Sequence, residues 1–292
     1  MIDYRKKTIT KGQQQLRCGY TTGTCAAAAA KAAAVALLTG EIYRDVAICL
    51  PGGENILLET ETLEHQKNCV KCGVIKDAGD DPDITNGLMI CAAVEKNTSG
   101  EICIDGGEGV GRVTQPGLDQ PVGAAAINSV PRKMIQEAVE AVCRQYHYTE
   151  GLMVTISIPK GRETAEKTLN PMLGIVGGLS VLGTTGIVEP MSEKALIDTI
   201  AVDIGRHRAQ GEDILVMAPG NYGLDYLKAA CDIHSEQVIK ISNFVGDSID
   251  LAVCEGASGI VLAGHIGKLI KVAGGIMNTH SHQADARMEI LT

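Results

Sequence analysis

The 292-residue sequence predicts an α+β domain at residues 1–170 followed by an α/β domain at residues 171–292. In the first half, short apolar runs with strand-like alternation surround one amphipathic helical pattern. In the second half, four apolar runs each lead through a glycine-containing loop into a helical pattern, which predicts a small parallel sheet of about four strands. Apolar residues make up 45% and charged residues 21% of the chain, as in a globular protein with an ample core.

Composition also excludes several classes of protein. A net charge of −9, the absence of Trp and a single Phe speak against general nucleic-acid binding. Of the ten cysteines, Cys69 and Cys72 form the only C-x-x-C pair, and no second pair or nearby His completes a zinc set. We therefore expect no metal site and reduced thiols. His280 and His282 alternate on a loop and are expected to be solvated.

The Ala-rich run from Thr24 to Leu38 predicts a buried helix. Such a helix rises only ~22 Å, short of the ~30 Å core of a bilayer, and Lys31 lies at its centre. Residues 1–15 are polar and carry no signal-peptide pattern, so we expect a cytoplasmic protein without a membrane segment. Thr24 and Gly40 are cap signals at the two ends of the run.

The segment before this run, GYTTGT, contains Thr21 and Thr22 at a predicted strand-to-helix turn. Free backbone amides at the start of a helix favour anions, so the turn is a candidate anion site. The alternative is a capped core helix with no ligand, and residue types alone favour that alternative.

The remaining elements of the first half follow from apolar periodicity. The clearest strand is Val154–Pro159, and the clearest helix is Pro131–His147, which places its apolar residues on one face. Shorter strands are predicted around Val46–Leu50, Ile56–Thr60, Met89–Val94 and Ile102–Asp105.

In the second half, strand-to-helix loops of a parallel sheet all emerge at the carboxyl ends of the strands, where ligands bind. The four segments are GLSVLGTTG, ILVMAPGNYG, VIKISNFVGD and GIVLAGHIGK. In the loop PGNYG, Gly220 and Gly223 let the backbone approach a ligand, while Asn221 and Tyr222 present an amide and a phenol. The alternative is a tight turn of structural importance only.

Three other motifs are weaker evidence for a functional site. GGEGVGR opens no helix, so it predicts a hairpin or bulge rather than a dinucleotide fingerprint. GHIGKL lacks the spacing of a phosphate loop and has Leu269 where a hydroxyl is required. KDAGDDPDITNG is either a solvated acidic turn or a group that holds a cationic ligand or supplies a general base; its carboxylates are Asp77, Asp80, Asp81 and Asp83.

Together these motifs resemble, in order, the segments of the cobalt-precorrin-5B methyltransferase family, often called CbiD, over nearly the whole chain. The matching segments are RCGYTTGTCAAAAAKAA, KDAGDDPDITNG, GGEGVGRVTQPGL, NPMLGIVGGLSVLGTTGIVEPMSE, APGNYG, GHIGKLIKVAGG and NTHSHQADAR. The resemblance implies methyl transfer from S-adenosylmethionine to ring carbon 1 of a cobalt-bound tetrapyrrole in anaerobic cobalamin biosynthesis. It also implies an N-terminal domain similar to the second domain of ribosomal protein S5. Family members extend further at the C-terminus, so the end at Thr292 is expected to mark a short or truncated form.

The substrate and methyl donor that the resemblance implies suggest roles for the candidate residues. The acetate and propionate groups of the substrate require local positive charge or amide-lined turns, because the chain is net acidic. Candidates for these groups are Lys268, Lys271, Arg112, Thr21, Thr22, Thr184 and Thr185. S-adenosylmethionine is assigned to Asp80, Asp81, Asp83 and the loop Gly220, Asn221, Tyr222 and Gly223. His265 and Asp77 are candidate general bases.

Cobalt is expected only as part of the substrate, and the protein is expected to hold no metal of its own. Other enzymes of the cobalamin pathway are conceivable partners, and the sequence leaves the oligomeric state open. Two alternative functions remain at this point: a tetrapyrrole carrier without catalysis, and a small-molecule kinase of the S5-like fold, against which the incomplete phosphate loop argues.

Overall fold

The computed structural model describes residues 7–11 and 13–292, and the chain divides into two compact units. Unit 1 comprises the described part of Met1–Thr114 together with Asp119–Met191; unit 2 comprises Gln115–Leu118 and Ser192–Thr292. Residues 171–191, which the sequence placed in the second domain, lie in unit 1. The reason is that two short strands in this segment pair with strands of unit 1.

Unit 1 contains thirteen strands and three helices among the described residues. They are β1 (Thr8–Lys11), β2 (Gln14–Arg17), β3 (Gly19–Tyr20), α1 (Thr22–Thr39), β4 (Asp45–Cys49), β5 (Asn55–Glu59), β6 (Glu61–His65), β7 (Cys69–Ile75), β8 (Met89–Asn97), β9 (Ile102–Gly106), β10 (Arg112–Val113), α2 (Ser129–Gln145), β11 (Gly151–Ser157), α3 (Gly161–Ala165), β12 (Ile175–Val176) and β13 (Ile187–Val188). The predicted mixture of helices and strands is confirmed, including each strand proposed from periodicity.

The main sheet of unit 1 has the strand order β6-β7-β8-β11-β9. Its neighbours pair antiparallel except β9 and β11, which are parallel and are connected through α2. The alternation predicted for β11 is present, since Leu152, Val154 and Ile156 are fully buried. GGEGVGR forms a turn after β9 with no following helix, as predicted.

Helix α1 is the core helix of unit 1. It packs against α2 and against the strands β7 and β8 of the main sheet. By length and composition α1 could cross a membrane, but 78% of it is buried within the fold. Its alanines from Ala26 to Ala30 are fully buried, because methyl side chains let neighbouring backbones come close.

The sequence predicted the C-terminal end of α1 correctly but not its N-terminal end. Gly40 caps the C-terminus as predicted, in the left-handed conformation, with its amide donating to Ala36 O. The predicted N-terminal cap, Thr24, is wrong. The helix begins three residues earlier, and Thr21 is the N-cap, with its Oγ1 accepting a hydrogen bond from the Thr24 amide at 3.2 Å.

Unit 2 is built around a parallel sheet with the strand order β15-β14-β16. Its elements are α4 (Glu193–Ala209), β14 (Ile214–Ala218), α5 (Asn221–Cys231), β15 (Ile239–Lys240), α6 (Val245–Cys254), β16 (Gly259–Leu262), α7 (Ile266–Ala273) and α8 (Arg287–Leu291). The central strand β14 is covered on both faces: Leu215, Met217 and Ala218 are fully buried.

The sheet has three strands within the described part of the chain, not about four. The segment GLSVLGTTG, predicted as another strand-loop-helix unit, lies in unit 1 instead. There Leu179 and Val181 form isolated parallel bridges with Val110 and Ile127. Three of the four glycine loops therefore share one sheet edge, and the fourth does not.

The strand order of this sheet reverses at β14. The chain leaves β14 through α5 to β15 on one side, then crosses through α6 to β16 on the other side. The loops that follow β14 and β16 thus begin next to each other and are followed by different helices. Open α/β sheets bind ligands at such a reversal of strand order.

Candidate functional site

The loop after β14 lies at this reversal of strand order. Gly220 is the N-cap of α5 and has a φ of 155°, which L residues rarely adopt. A Cβ on Gly223 would lie 2.2 Å from the carbonyl oxygen of Ala263, so this glycine lets α5 pack directly on the loop after β16. The next positions, Asn221 and Tyr222, are exposed in the first turn of α5.

His265 is the N-cap of α7, the helix that follows the neighbouring strand β16. Its ring meets that of Tyr222 edge-on, with centroids 5.0 Å apart and an interplanar angle of 89°. Its Nδ1 accepts a hydrogen bond from the Gly267 amide at 3.0 Å and thereby caps α7. A neutral imidazole that accepts at Nδ1 carries its proton on Nε2. In this geometry His265 offers a donor at Nε2, so action as a base would require the helix cap to open.

Lys268 connects the segments that follow the three strands of the unit 2 sheet. It lies on α7 after β16, and its Nζ donates to the carbonyl oxygen of Pro219, which follows β14. A second, longer contact of 3.5 Å reaches the carbonyl oxygen of Ser242, which follows β15. Burial, and then repulsion by Lys271, lowers the pKa of the Lys268 ammonium from its ordinary value.

Lys271 has a different environment although it is only one turn further along α7. Its side chain is 3% exposed, and its Nζ donates to Ala284 O at 2.8 Å and Thr279 O at 3.3 Å. The carboxylate of Asp285 lies 3.9 Å away. Lys271 therefore fixes the segment 279–285 against α7, and its ammonium is already surrounded by acceptors.

These side chains border an open cleft of about 490 Å³. Its lining combines cationic and imidazole groups with neutral polar groups, and no carboxylate lines it among the described residues; the lining residues are His265, Gly267, Lys268, Lys271, His280, Arg287, Asn243, Thr279 and Ser281. His280 and His282 are exposed, and their rings stack with centroids 5.1 Å apart. The cleft is therefore a polar, positively charged surface on a chain that is net acidic.

The acidic loop lies in unit 1 and is a folded turn with internal partners. Asp77 receives two hydrogen bonds from the guanidinium of Arg17, at 2.6 and 2.9 Å, and a third from the Gly79 amide. Asp80 accepts from the backbone amide of Arg17 at 2.6 Å. As a general base, Asp77 would have to break its ion pair with Arg17, which weakens its candidacy.

The other two carboxylates of this loop are also engaged. Asp81 accepts from the Met191 amide at 2.9 Å. Asp83 forms an ion pair with Lys76, whose side chain is only 2% exposed. Burial alone would raise the pKa of Asp83, but the charge and hydrogen bond of Lys76, with two hydrogen bonds from Thr85, outweigh it and hold this pKa below its ordinary value.

The two Thr-containing turns predicted to bind carboxylates are hydrogen-bonded to each other. Thr22 Oγ1 donates to Leu182 O at 3.1 Å and accepts from the Leu182 amide at 3.0 Å. The amides of Thr21 and Gly23 donate to the carbonyl oxygens of Gly186 and Leu182. Within the GTTG loop, Thr184 and Thr185 are exposed. The amides at the start of α1 are thus used inside unit 1, in agreement with the capped core helix that was the alternative reading.

Arg112 likewise has an internal partner. Its guanidinium forms paired hydrogen bonds with Asp105 at 2.7 and 2.9 Å and a third with the carbonyl oxygen of Gly106. These bonds hold the pKa of Asp105 below its ordinary value. Arg112 therefore stabilises the turn after β9.

The structure separates the predicted site residues into two sets. Those that lie together at the sheet edge of unit 2 are Gly220, Asn221, Tyr222, Gly223, His265, Lys268 and Lys271. Those in unit 1 are Asp77, Asp80, Asp81, Asp83, Thr21, Thr22, Arg112, Thr184 and Thr185. Sequence reasoning missed Asn243, Thr279 and Arg287 in the cleft. Asn243 lies in a predicted strand-to-helix loop, and Thr279 and Arg287 lie in the segment NTHSHQADAR, but none of the three was assigned a role.

Two further sequence predictions concern metals and thiols. Among the described residues, no three His, Cys, Asp or Glu side chains are grouped so that they could hold a metal ion. All ten cysteines are free thiols, and Cys25, which is fully buried, has a pKa raised by burial to about 12. A thiol in that state is a packing group rather than a nucleophile.

Comparisons of the sequence and of the structure with known proteins agree with one another. The CbiD family model matches residues 9–190. A Cobalt-precorrin-5B C(1)-methyltransferase from Ruminiclostridium cellulolyticum is 51% identical over 97% of this chain and 73% of its own length. One from Alkaliphilus metalliredigens is 49% identical over 98% of this chain and 75% of its own length. The crystal structure of a cobalamin biosynthesis protein (cbiD) from Archaeoglobus fulgidus matches with a TM-score of 0.52 and 28% identity, covering 98% of this chain and 89% of that one.

Proposed function

The chain belongs to the CbiD family, and from that premise we propose that it is a methyltransferase that converts cobalt-precorrin-5B to cobalt-precorrin-6A in cobalamin biosynthesis. S-adenosylmethionine is the proposed methyl donor, and cobalt enters only with the tetrapyrrole. The observation that carries the proposal is the match to relatives with this name over nearly the whole chain, at 51% identity in one case. We further propose that unit 1 corresponds to a domain like the second domain of ribosomal protein S5.

The reaction needs orientation more than it needs reactive side chains. A ring carbon supplies the electron pair of the new carbon–carbon bond, the carbon–sulfur bond breaks, and the sulfonium becomes a neutral thioether. Lining up the ring carbon behind the methyl group in a closed site supplies most of the rate enhancement.

We place the methyl donor at the loops that follow β14 and β16. A Cβ on Gly220 would lie 3.7 Å from the Nζ of Lys268, at ordinary van der Waals distance, so a glycine is favoured there by its φ of 155° rather than by lack of space. Asn221 offers an amide that can both donate and accept, and Tyr222 offers a ring and a phenol. Bound S-adenosylmethionine supplies the electrophilic methyl group, while these residues bind and orient it.

The assignment of Asp80, Asp81 and Asp83 to the cofactor stays a prediction, as does the assignment of Asp77 and His265 to catalysis. Their observed partners favour a narrower proposal. We assign His265 to orientation, through its donor at Nε2 and its ring contact with Tyr222. The acidic loop is proposed to stabilise unit 1 rather than to remove a proton.

The decisive experiment is anaerobic incubation of the purified protein with cobalt-precorrin-5B and methyl-labelled S-adenosylmethionine, followed by mass spectrometry. A product heavier by one labelled methyl group, formed only when both substrates are present, supports the proposal. The matched control is a reaction with the tetrapyrrole and unlabelled donor. Binding of the tetrapyrrole without any methyl transfer would favour the carrier function instead.

A further inference from the structure

The cationic groups of the cleft are not equally available to a ligand. Arg287 donates to the carboxylate of Asp285 at 2.6 and 2.9 Å, and Lys271 lies 3.9 Å from the same carboxylate. Lys268 contacts only carbonyl oxygens: among the described residues, no carboxylate lies within salt-bridge distance of its ammonium. Lys268 therefore carries the positive charge of the cleft that is least compensated.

The coordination of this ammonium is also incomplete. A lysine ammonium has three N–H donors, and the carbonyl oxygens of Pro219 and Ser242 account for two of them. Burial and repulsion by Lys271 both oppose its charge and lower the pKa of Lys268. An anionic group placed against the third donor would relieve both effects through a charge-assisted hydrogen bond.

A second donor faces the same cleft. His265 lines it, and the cap bond at Nδ1 leaves the proton on Nε2. An ammonium and an imidazole N–H together suit the two oxygens of a carboxylate. The aromatic contact between His265 and Tyr222 also places this donor pair beside the proposed site of the methyl donor.

Resting on the proposed function, we propose that Lys268, with His265, binds one acetate or propionate carboxylate of the tetrapyrrole and so sets the position of the ring relative to the methyl donor. Lys271 and Arg112, the other cations predicted to bind carboxylates, have internal roles instead. A single cationic anchor of this kind discriminates between a free acid and an amide, because an amide gives no charge-assisted bond.

The test is a spectrophotometric titration with two probes: a cobalt corrinoid that carries free acetate and propionate groups, and the same ring with all of these groups amidated. We expect the unchanged protein to bind the acid at least about tenfold more tightly than the amide at low salt. Lys268→Met should reduce this preference to about twofold with little change in affinity for the amide. Lys268→Arg, which keeps the charge, should retain most of the preference.

Lys228→Met is the matched control, since it removes an exposed lysine of α5 that does not line the cleft. If Lys268→Met keeps the full preference for the acid, or loses affinity for both probes equally, the carboxylate assignment is overturned. Methyl transfer by the unchanged protein would still stand in either case. Failure of the unchanged protein to bind either ring would instead reject the proposed function together with the assignment.

Discussion

The buried ion pair between Lys76 and Asp83 allows a sharp prediction about the stability of unit 1. Lys76 follows β7, and its side chain is 2% exposed; the carboxylate of Asp83 is 23% exposed. Lys76→Met removes the cation but leaves Asp83 with two hydrogen bonds from Thr85, at 2.6 and 2.8 Å. Breaking a fully buried pair costs ~3 to 5 kcal/mol, and because Asp83 keeps partial exposure and these bonds we expect ~2 to 3 kcal/mol.

The converse change, Asp83→Asn, should cost more, because it leaves the less exposed partner charged and without a carboxylate. The double variant should cost less than the sum of the two single changes, by at least ~1 kcal/mol, as expected of residues in direct contact. The matched control is Lys71→Met, which removes the cation of a more exposed ion pair on β7, the strand that Lys76 follows. The Lys71 side chain is 27% exposed and its partner, Glu64, is 53% exposed, so its loss should cost within ~0.5 kcal/mol.

The effect should depend on pH in a defined direction. The pKa of Asp83 in the folded protein lies below its ordinary value of 3.8. Its ionised form is therefore favoured by folding, and this contribution is complete above about pH 5 and is lost as the pH falls through the folded value. Urea unfolding followed by far-ultraviolet circular dichroism at pH 7 and pH 3 measures it. The reasoning fails if Lys76→Met is as stable as the unchanged protein at pH 7, or if its deficit grows as the pH falls.

Other predictions test the site and the core. Asn221→Ala should change stability by less than ~0.5 kcal/mol yet slow methyl transfer at least about fivefold; an early melting point with full activity would make the loop purely structural. Gly223→Ala places a Cβ 2.2 Å from Ala263 O, so we expect a loss of ~1 to 3 kcal/mol in thermal unfolding, and unchanged stability would contradict the close packing. Ala29→Leu, at a fully buried position, should destabilise by at least ~1 to 3 kcal/mol. Elemental analysis should find no stoichiometric zinc; one zinc per chain, lost on Cys69→Ser, would refute this.

Local patterns predicted the type of most elements but not always their ends. Helix α1 follows from the propensity of Ala, and its C-cap follows from Gly40. Its start was misplaced because Thr21, Thr22 and Thr24 are all acceptable caps by residue type. The choice among them depends on hydrogen bonds with Leu182 and Gly186, which lie far away in sequence.

The same limit explains the missing strand. GLSVLGTTG has the apolar run and glycine loop of a β-loop-α unit, but its backbone bridges to Val110 and Ile127 in unit 1 rather than to β14. Periodicity reports that a segment is strand-like and buried; it does not report its partner. The topology predicted from the repeated pattern of apolar run, glycine loop and helix therefore gave this sheet one strand too many.

In the candidate site, residue type and spacing could not distinguish the environments of neighbouring lysines. Lys268 and Lys271 lie one turn apart on α7, and nothing local distinguishes them. The segment 279–285 folds back over Lys271 and surrounds its Nζ with carbonyl oxygens, whereas Lys268 points to the strand-end loops. Arg287 was missed because its place beside the cleft depends on the same fold-back.

The alanine helix at the centre of unit 1 also has a consequence at the level of the gene. A single-base change in an alanine codon yields Gly, Ser, Thr, Val, Pro, Asp or Glu. At positions as closely packed as Ala26 to Ala30, most of these add atoms where there is no space, bury a charge or break the helix. A leucine codon, by contrast, can mutate to Ile, Val, Met or Phe, which a core often accepts. Every base change at the first two positions of these alanine codons therefore replaces Ala, and most of the replacements are residues that the core does not accept.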